Sequence, residues 1–421
     1  MSFDLGFSLL IIMPELILAI GALTLLIVGA FSEGEHAWNN MSYLTYGVLF
    51  LAFVGGLNPH LGEGFGGEVV LTDLSRLVKQ FVIIFGAVGY MLIHADLERD
   101  EELRRTETPV LVLFSVAGMC LMLSSGSLMT LYLGLELQSL CLYVLAATKR
   151  DSVKASEAGL KYFVLGALSS GVFLYGVSFV YGATGSFAYN AIEVAASAQA
   201  NDLLLSVGIV LIIVGLAFKV SLVPFHMWTP DVYEGAPIGV TAFFAGAPKL
   251  AAIGVFYVLL GFVFQSYYDI WAPVIAVLVI LSTWIGALGA LRQNSIKRLL
   301  AYSSIANMGF AFLGFLGGME GSNSSVIVYA VIYNVMTLGA FAAVSSIRVD
   351  HVVVHDKEQL EGLAQEQPRT ALILAALMFS LAGIPPLAGF FAKLSVFVSA
   401  IEGGMVGVAI VAVLASVVGS F

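Results

Sequence analysis

The stretch GLAFKVSLVPFHMWTP, residues 215–230, decides the fold class of this chain. It places Lys219 inside a long apolar run that Pro224 and Pro230 then interrupt. A charged side chain at the centre of a membrane helix costs about 2.5–3.5 kcal/mol on insertion scales, so such residues are rare and usually functional. Proline removes a backbone hydrogen-bond donor and breaks a helix. The stretch therefore indicates a broken membrane helix that carries an ionisable group.

The rest of the chain has the composition of an integral membrane protein. Hydrophobic residues make up 59% of the 421 residues and charged residues only 11%, more apolar surface than one soluble core could bury. Basic clusters are few and the formal net charge is −10, which argues against nucleic acid as a partner. Cys120 and Cys141 both fall in apolar segments without metal or disulfide spacing, so we interpret them as packing residues.

Apolar windows of about 20 residues, the length that crosses a bilayer, predict an all-α polytopic membrane protein. Thirteen predicted spans cover residues 9–30, 41–57, 73–95, 109–125, 127–147, 158–182, 203–232, 237–265, 271–291, 295–317, 324–346, 370–399 and 403–421. The chain stops at Phe421 within the last span, with no polar residues after it. We therefore expect the natural protein to continue beyond this point.

The distribution of basic residues predicts how the chain is oriented. The loops after spans three, five, nine and eleven contain Arg99, Arg104, Arg105, Lys149, Arg150, Lys154, Arg292, Lys297, Arg298, Arg348, Lys357 and Arg369. By the positive-inside rule these loops are cytoplasmic, which puts the N-terminus on the outer side of the membrane, the periplasmic side if the membrane is a bacterial inner membrane. Arg76 and Lys79, near the outer start of span three, fit this pattern less well. We expect them to line an interface or to extend to the membrane surface.

Spans seven and twelve are predicted to be discontinuous. Each is about 30 residues long, whereas about 20 residues are enough to cross the hydrocarbon core. Span twelve contains Gly383, Pro385 and Pro386, which break a helix as the prolines of span seven do. Freed backbone groups at membrane depth occur only where protein or water satisfies them. A kink used for packing is the alternative interpretation of each break.

The position of the two breaks suggests an internal duplication. They lie five spans apart, and five is an odd number, so two five-span units would have inverted topologies. We predict an N-terminal unit of three helices (residues 1–108), a first repeat of spans four to eight (109–265) and a second repeat of spans nine to thirteen (271–421). Inverted repeats with interrupted helices are a recurring transporter architecture.

Four ionisable residues within the predicted spans are the candidate functional residues: Glu136, Lys219, Lys249 and Lys393. Tyr132, Glu136, Ser139 and Tyr143 recur at helical spacing, so they form one polar stripe that must face protein or water. A structural hydrogen-bond cluster is the alternative for Glu136. Extension of the side chain to the membrane surface is the alternative for Lys219 and Lys393.

Buried lysines suit proton transfer. Burial disfavours the ammonium form of an amine, and a nearby carboxylate restores it. A movable interaction between Glu136 and Lys219 would therefore switch proton affinity, and their proximity is a hypothesis. We predict Lys161 and His226 as secondary relay residues. The further polar candidates, each with structural hydrogen bonding as its alternative, are Ser169, Ser170, Ser303, Ser304, Asn307, Tyr333, Asn334 and Thr337.

The sequence contains none of the usual motifs for a redox cofactor or a nucleotide. It has no phosphate-binding glycine loop, no dinucleotide fingerprint, no cysteine set for an iron–sulfur cluster and no histidine pair spaced for haem. We therefore predict no cofactor and no metal in this chain, and expect any redox chemistry to belong to partner subunits.

Five segments resemble the antiporter-like membrane subunits of proton-translocating NADH:quinone oxidoreductase, respiratory complex I. They are LYLGLELQSLCLYVLAA (131–147), GLAFKVSLVPFHMWTPDVYEGAP (215–237), TAFFAGAPKLAAIG (241–254), IKRLLAYSSIANMGF (296–310) and AGIPPLAGFFAKLSVF (382–397). The similarity extends from about residue 105 to the end. Lysines at 249 and 393, where some relatives carry histidine or glutamate, are typical of one bacterial branch of that family.

This resemblance implies a fourteen-helix fold in the full chain, with two inverted repeats and interrupted helices seven and twelve. It implies that Glu136, Lys219, Lys249 and Lys393 are proton-channel residues, with Lys249 central and Lys393 toward the exit side. FMN, iron–sulfur clusters and quinone would belong to partner subunits. The chain itself would contact other membrane-arm subunits and the lipid of the bacterial inner membrane, and would bind no soluble substrate except protons.

Two other functions remain open from the sequence. A subunit of a multisubunit cation/proton antiporter has related motifs and could share all the buried charges. A purely structural membrane subunit is the alternative without transport. Neutral replacement of Lys219 or Glu136 in an assembled complex separates the structural alternative from proton pumping.

Overall fold

The computed structural model describes residues 4–31, 37–99, 104–149, 151–198, 202–318, 323–349 and 352–420. Arg150 and Phe421, which entered the sequence analysis, lie outside the described residues, and so does the side chain of Arg348. The described part is mostly helical, with two short antiparallel hairpins.

The N-terminal unit contains four helices and one hairpin. In chain order these are α1 (Leu5–Ile11), α2 (Met13–Phe31), α3 (Ala37–Gly55), β1 (Gly62–Gly64), β2 (Val69–Leu71) and α4 (Asp73–Leu97). The Thr72 hydroxyl accepts from the backbone of Ser75, whose side chain in turn accepts from the backbone of Thr72. This reciprocal capping box starts α4 directly after the hairpin.

The first predicted repeat is built from eight helices of unequal length. They are α5 (Glu107–Leu123), α6 (Leu128–Ala146), α7 (Val153–Thr184), α8 (Tyr189–Ala198), α9 (Leu203–Lys219), α10 (Trp228–Gly235), α11 (Ile238–Ala245) and α12 (Ala247–Val258). A π-helical turn over Leu259–Val263 continues α12.

The second predicted repeat contains seven helices and the second hairpin. They are α13 (Tyr268–Leu291), α14 (Ile296–Leu313), α15 (Asn323–Ser346), β3 (Arg348–Val349), β4 (Val352–Val353), α16 (Leu363–Glu366), α17 (Pro368–Ala382), α18 (Ala388–Glu402) and α19 (Val406–Gly419).

Many of these helices have the length and composition of membrane spans. Within the described ranges, eight helical segments qualify: Met13–Phe31, Asp73–Leu97, Leu128–Ala146, Val153–Thr184, Ile238–Val263, Gln265–Leu291, Ile296–Gly317 and Ser324–Ser346. Shorter apolar helices include Glu107–Leu123, Leu203–Lys219, Pro368–Ala382 and Val406–Gly419. The prediction of an all-α polytopic membrane fold is confirmed. The count of thirteen crossings and the inverted repeats stay predictions.

Spans seven and twelve are both interrupted, as their prolines and glycine indicated. Helix α9 ends at Lys219 and α10 starts at Trp228, while α17 ends at Ala382 and α18 starts at Ala388. Gly383 has φ of 87°, a left-handed conformation that suits glycine and ends α17.

Span eight, for which no break was predicted, is also interrupted. Gly246 separates α11 from α12 with φ of −102° and ψ of −107°, and Pro248 lies in the first turn of α12. The break places Lys249 at the start of α12 rather than in the middle of an unbroken helix. Gly246 and Pro248 were the sequence signal for this break. It was overlooked because span eight was defined only by its apolar composition.

The ends of the helices form two opposite faces of the protein. On one, which we call the basic face, an Arg99 guanidinium donates to the Ser345 carbonyl at 3.0 Å, and Lys154 pairs with Glu234 at 3.3 Å. On the other, which we call the hairpin face, the amide of Val70 in β2 donates to the Ser124 carbonyl at 2.7 Å. The described loops with basic residues after spans three and five thus contact the neighbouring ends of α15 and α10, on the side away from the first hairpin.

Candidate functional site

Lys219 lies at the break of span seven, as the last residue of α9. Its side chain is 7% exposed, and its ammonium donates to the Ser139 hydroxyl at 2.8 Å and to the Tyr143 hydroxyl at 3.3 Å, both on α6. The C-terminal end of a helix carries partial negative charge, which favours a cation there. Because the amine bonds inward to α6, extension of Lys219 to the membrane surface is wrong.

The backbone freed by this break is satisfied by the protein. The Val223 amide donates to the Ser282 hydroxyl of α13 at 2.9 Å, and the Trp228 indole donates to the Phe218 carbonyl at 3.0 Å. Ser221 has φ of 65°, which is uncommon for a residue other than glycine, and its hydroxyl accepts from Thr229 at 2.7 Å. The break is therefore a built structural feature rather than a gap in the helix.

Glu136 does not touch Lys219 directly. The carboxylate is half-buried and accepts a hydrogen bond from the Ser170 hydroxyl of α7. Among the described residues no ion pair joins Glu136 to Lys219, because the lysine bonds to Ser139 and Tyr143, one and two turns further along α6. The predicted polar stripe on α6 therefore contains Glu136 itself and, one turn further along, Ser139, to which Lys219 donates. Glu136 and Lys219 are therefore close together, as the hypothesis of their proximity stated, but no hydrogen bond joins them directly among the described residues.

A groove connects this cluster with the basic face. It has a volume of about 720 Å³, lies between α5, α6 and α7, and has Tyr143 in its lining. Arg105, Glu107 and Thr148 line its other end. The Tyr143 side chain thus lies between this groove and the Lys219 ammonium.

Lys249 is the most deeply buried of the three lysines, with 1% exposure. Its ammonium donates to the Ser304 hydroxyl of α14, which also accepts from the Tyr333 hydroxyl of α15 at 2.6 Å. The amine lies 5.5 Å from the centre of the Tyr233 ring, within the range of a cation–π contact. Lys249 therefore joins the first predicted repeat to the second through Ser304.

Aromatic rings separate the Lys219 cluster from Lys249. The Tyr162 ring lies 4.7 Å from Tyr143, 4.4 Å from Trp228 and 5.7 Å from Phe244. In the residues that the structure describes, no hydrogen bond bridges the two lysines across these rings. Lys219 and Lys249 therefore lie in two polar clusters, with the aromatic rings around Tyr162 between them.

Lys393 lies in α18 and turns back to the break of span twelve. Its ammonium donates to the carbonyl of Ala382, the last residue of α17, at 2.7 Å, and to the Ser416 hydroxyl at 3.2 Å. The side chain is 7% exposed, and the amine lies 4.5 Å from the centre of the Phe310 ring. Extension of this lysine to the membrane surface is therefore wrong: the amine satisfies a carbonyl that the break leaves free.

A cavity of about 350 Å³ lies beside Lys393. Ser303 and Asn307 of α14 line it with the lysine, and Gln293 and Lys357 line its far end at the basic face. Since Ser304 of the same helix contacts Lys249, α14 lies between the two lysines. The cavity opens toward the basic face, so it does not support an exit role for Lys393.

Among the described residues, none of the three lysines has a carboxylate partner within ion-pair distance. The ion pairs found in this part of the chain lie elsewhere and include those of Arg76, Lys79, His94, Lys154, Lys161 and Arg298. Burial disfavours the ammonium form of an amine that has no counter-charge. Such an amine therefore releases its proton more readily than an amine in water does.

Lys161, predicted as a secondary relay, is held by two carboxylates near the basic face. Its amine pairs with Glu157 and with Asp231 of α10, each at 2.7 Å. Arg298 of α14 binds Asp231 at 2.8 Å and Glu234 at 3.0 Å. Burial raises the pKa of Glu234, but hydrogen bonds from Arg298 and Lys154 outweigh it and hold this pKa below its ordinary value. The structure thus gives Lys161 an ion-pair role that fixes α10.

His226, the other predicted secondary relay, lies in the segment between α9 and α10. It is half-buried, and its Nδ1 atom is buried without a hydrogen-bond partner in the described part of the chain. No contact joins its ring to a lysine among these residues. The relay role of His226 therefore stays a prediction.

The remaining polar candidates divide into bonded and unpartnered groups. Ser169 donates to the Gly215 carbonyl at 2.7 Å, a structural bond, and Asn307 accepts from the Tyr329 hydroxyl at 2.8 Å. Within the described ranges, the side-chain oxygens of Asn334 and Thr337 are buried and have no partner. Cys120 and Cys141 are buried free thiols.

The sequence analysis missed a buried ion pair in the N-terminal unit. The Lys79 ammonium lies 2.5 Å from the Glu15 carboxylate, so Lys79 lies at an interface between α2 and α4 and does not extend to the membrane surface. Arg76 does behave as expected, since it is partly exposed and pairs with Asp73 at 2.8 Å. The sequence signal for this pair was an acid, Glu15, in predicted span one and a base, Lys79, in predicted span three.

The comparison with protein families supports one assignment. A family model described as NADH:quinone oxidoreductase/Mrp antiporter, transmembrane, matches residues 125–419. NADH-quinone oxidoreductase subunit N 1 of Rhizobium meliloti (strain 1021) is 49% identical over 418 residues, which cover 98% of this chain and 86% of that protein. Subunit N of Parvibaculum lavamentivorans is 45% identical over 97% of this chain and 85% of that protein.

Solved structures with a similar fold include subunits of several membrane complexes. A chain of respiratory complex I from Thermus thermophilus with bound aureothin has a TM-score of 0.81 and 34% identity, over 97% of this chain and 87% of that chain. A chain of the Mrp complex from Dietzia sp. DQ12-45-1b has a TM-score of 0.86 and 26% identity, over 99% of this chain and 78% of that chain.

Proposed function

This chain belongs to the subunit N family of NADH-quinone oxidoreductases, and from this membership we propose that its three buried lysines carry protons across the membrane. It is a proton-pumping membrane-arm subunit of that complex, and its partners are the other membrane-arm subunits. The finer assignment concerns which residues move the proton and from which side.

The observation that carries the proposal is the environment of Lys249. The amine is buried at a helix break, bonds to two hydroxyl-bearing helices through Ser304, and has no carboxylate partner among the described residues. A lysine needed only for packing would be replaced by an apolar residue at lower cost, since membrane insertion disfavours the charge. Proton exchange explains why an amine is kept there.

We assign uptake to the basic face and release to the hairpin face. The groove at Tyr143 leads from the basic face to Lys219, and the cavity at Lys393 opens to the same face. By the positive-inside rule this face is cytoplasmic, so the N-terminus is periplasmic in a bacterial inner membrane. Lys393 then serves uptake or storage rather than release, in contrast to the exit role that the family resemblance implied.

Each proton moved against the membrane potential requires energy from outside this chain. The requirement is about 2.3 kcal/mol for each 100 mV. Partner subunits supply it by oxidising NADH and reducing quinone, with FMN and iron–sulfur clusters as their cofactors. In the described part of this chain no group of three or more metal-ligating side chains occurs.

The coupling step acts on the Glu136 and Lys219 cluster. Glu136 belongs to α6, and the Lys219 ammonium packs against the same face of that helix, where it bonds to Ser139. Movement of the Glu136 carboxylate from Ser170 toward Lys219 would stabilise the ammonium form, and its return would release a proton toward Lys249. Only such a differential interaction shifts a protonation equilibrium. Water must enter the partition at Tyr162 for that transfer.

The proposal is tested by replacing Lys249 with methionine in the assembled complex. We expect Lys249→Met to lower the number of protons pumped per NADH oxidised in inverted membrane vesicles, because the central amine is lost. Lys154→Met is the matched control, since this exposed lysine lies at the basic face and should leave the ratio unchanged. An assembled Lys249→Met complex that pumps like the wild type would show that the lysine is structural.

The fold similarity to the Mrp complex makes cation/proton antiport the second candidate. Vesicles with an imposed Na⁺ gradient distinguish the two functions. Proton movement that depends on Na⁺, and not on NADH oxidation, would favour antiport. The subunit N relatives, at 45–49% identity, favour redox-driven pumping.

A further inference from the structure

We propose that Asp231 and Arg298 are positioning residues for proton transfer between Lys219 and Lys249. They belong to a group of charged side chains near the basic face that fixes the short helix α10 between α7 and α14. Helix α10 in turn places aromatic rings against both lysine sites. The proposal rests on the proposed function, because it concerns the barrier between two residues of the same proton route.

Six side chains of alternating charge form one network across three helices, in which each residue pairs with the next. In order they are Glu157, Lys161, Asp231, Arg298, Glu234 and Lys154. Asp231 of α10 lies near its centre: Oδ2 accepts from Lys161 of α7 at 2.7 Å, and Oδ1 accepts from Arg298 of α14 at 2.8 Å. We call this set of six residues the charge network.

The charge network holds α10 in a way that a single surface ion pair does not. An isolated exposed pair contributes little, because water screens it and two long side chains lose their freedom. Here the two oxygens of one carboxylate are bound from two different helices, and both Asp231 and Arg298 are partly buried. Lys154, at one end of the network, is largely exposed and adds little. The central contact between Asp231 and Arg298 therefore carries most of the positioning.

Trp228, the first residue of α10, contacts the site of Lys219. Its indole donates across the helix break to the carbonyl of Phe218, the residue before Lys219, at 3.0 Å. Its ring stacks on the Tyr162 ring, with 4.4 Å between the ring centres and 11° between the planes. Trp228 thus covers one face of the Tyr162 ring, which lies between the two lysine clusters.

Tyr233, five residues further along α10, contacts the site of Lys249. The Lys249 ammonium lies 5.5 Å from the centre of the Tyr233 ring. Ser304, the hydrogen-bond partner of Lys249, lies on α14, as Arg298 does. The charge network therefore fixes α10 against the helix that bonds Lys249, and one helix of eight residues contacts the surroundings of both lysines.

The packed rings form a barrier to water and therefore to protons. Hydrophobic constrictions in membrane proteins close a pathway by excluding water from it. While α10 is held in place, the rings stay packed, and a proton passes from Lys219 to Lys249 only when the coupling step admits water. Without the contact between Asp231 and Arg298, α10 shifts and water enters at any time. The result is a proton leak that does not depend on NADH.

The first test measures passive proton leak in proteoliposomes that contain the assembled complex and no NADH. We expect an imposed pH gradient to decay about tenfold faster per complex with Arg298→Met than with the wild type, the change expected when a hydrogen bond between charged groups is lost. Arg298→Lys keeps the charge but not the forked geometry, so it should restore part of the barrier.

Arg76→Met is the matched control for this measurement. The Arg76 side chain is 32% exposed and that of Arg298 is 29% exposed, but Arg76 pairs with Asp73 of its own helix, away from the lysines. A leak through Arg298→Met no faster than through Arg76→Met overturns the proposal. Asp231→Asn removes the same contact with little change of shape, so it replaces Arg298→Met if that variant does not assemble. A wild-type leak in Asp231→Asn overturns the proposal equally.

A double variant shows whether the leak takes the proposed route. A proton that passes from Lys219 to Lys249 needs the Lys249 amine, so Lys249→Met should abolish the leak of Arg298→Met. A leak that persists in the double variant runs through a generally loosened protein, which overturns the proposal.

Lys249→Met alone separates this proposal from the proposed function. Lowered pumping in Lys249→Met together with no leak in Arg298→Met would reject the positioning role and leave the proposed function intact. Normal pumping in an assembled Lys249→Met complex would reject the proposed function and this proposal with it.

Discussion

At the scale of single residues, the hydroxyl of Ser304 is the hydrogen-bond partner that links Lys249 to the second predicted repeat. It accepts from the Lys249 ammonium and from the Tyr333 hydroxyl, so it connects α12, α14 and α15 at one atom. A serine hydroxyl accepts two hydrogen bonds and donates one, and here both acceptor positions are used. It therefore orients the amine while leaving one proton free to move.

Replacement of Ser304 by alanine is expected to slow coupled proton transfer by about ten- to a hundredfold, because a hydrogen bond to a charged group contributes about 1.5–3 kcal/mol. The measurement is the initial rate of NADH-driven proton uptake in inverted vesicles. Ser178→Ala, at an exposed serine of α7, is the control. Equal rates for the two variants would show that Ser304 does not orient the amine.

The residue types that carry charge were visible in the sequence, but their partners were not. Lys219, Lys249 and Lys393 stand out because a lysine in an apolar span is rare. Which side chain each one reaches depends on rotamers and on helices far apart in the chain. The sequence led to the hypothesis that Glu136 and Lys219 are near each other, but not to the finding that Ser170 and Ser139 are their hydrogen-bond partners.

At the scale of secondary-structure elements, the broken helices place each lysine. Lys219 ends α9, Lys249 starts α12, and Lys393 bonds back to the end of α17. In each case an amine lies where a helix leaves backbone groups without intrahelical partners. A break therefore supplies both a polar neighbour and a local space that an unbroken helix would not provide.

A pair of glycine variants tests the break of span twelve. Gly383 and Gly362 both have left-handed φ, of 87° and 79°, so alanine at either should cost about 1–2 kcal/mol of backbone strain. Only at Gly383 would the new Cβ meet the Lys393 side chain, at 2.7 Å from Cδ, whereas Gly362 has open space. We expect both variants to lower the thermal stability of the complex slightly, and only Gly383→Ala to lower its proton-to-NADH ratio. A normal ratio in Gly383→Ala would mean that the position of Lys393 is not critical.

Breaks that contain proline were predictable, and the break at Gly246 was not. Pro224 and Pro386 interrupt a helix by their own chemistry, in any surroundings. Gly246 departs from helical geometry where its Cα faces Asn334 and Leu338 of α15, within 3.2–3.3 Å of an added Cβ. That departure depends on packing between distant segments, which an apolar window does not contain.

At the scale of the whole molecule, the two faces define the direction of transport. The prediction that loops with basic residues share one side agrees with their contacts to α10 and α15. The access routes at Tyr143 and Lys393 open to this basic face.

Cysteine labelling tests the orientation of these faces. Cys120 and Cys141 are buried, so they should react little with a membrane-impermeant maleimide. We expect Glu63→Cys, in the exposed hairpin, to be labelled in right-side-out vesicles, and Lys357→Cys to be labelled only in inverted vesicles. The opposite pattern would reverse the assigned direction of transport.

The overall class of the protein followed from the sequence more completely than its organisation. Apolar windows gave the helical membrane fold because lipid forces backbone groups to bond within helices. The ion pair of the N-terminal unit was missed, since Glu15 was not singled out and Lys79 was expected to line an interface or to extend to the membrane surface. An ion pair between α2 and α4 depends on which helices are neighbours, and the sequence pattern does not state that.

The central claim is that Lys249 exchanges a proton rather than merely holding a charge. Arginine keeps the positive charge but does not lose its proton in proteins, whereas histidine both accepts and releases one near neutral pH. The decisive measurement is the number of protons pumped per NADH by reconstituted complexes that carry Lys249→Arg or Lys249→His. We predict a lowered ratio for arginine and a largely retained ratio for histidine, with normal assembly of both. A wild-type ratio in the assembled arginine variant would contradict the account.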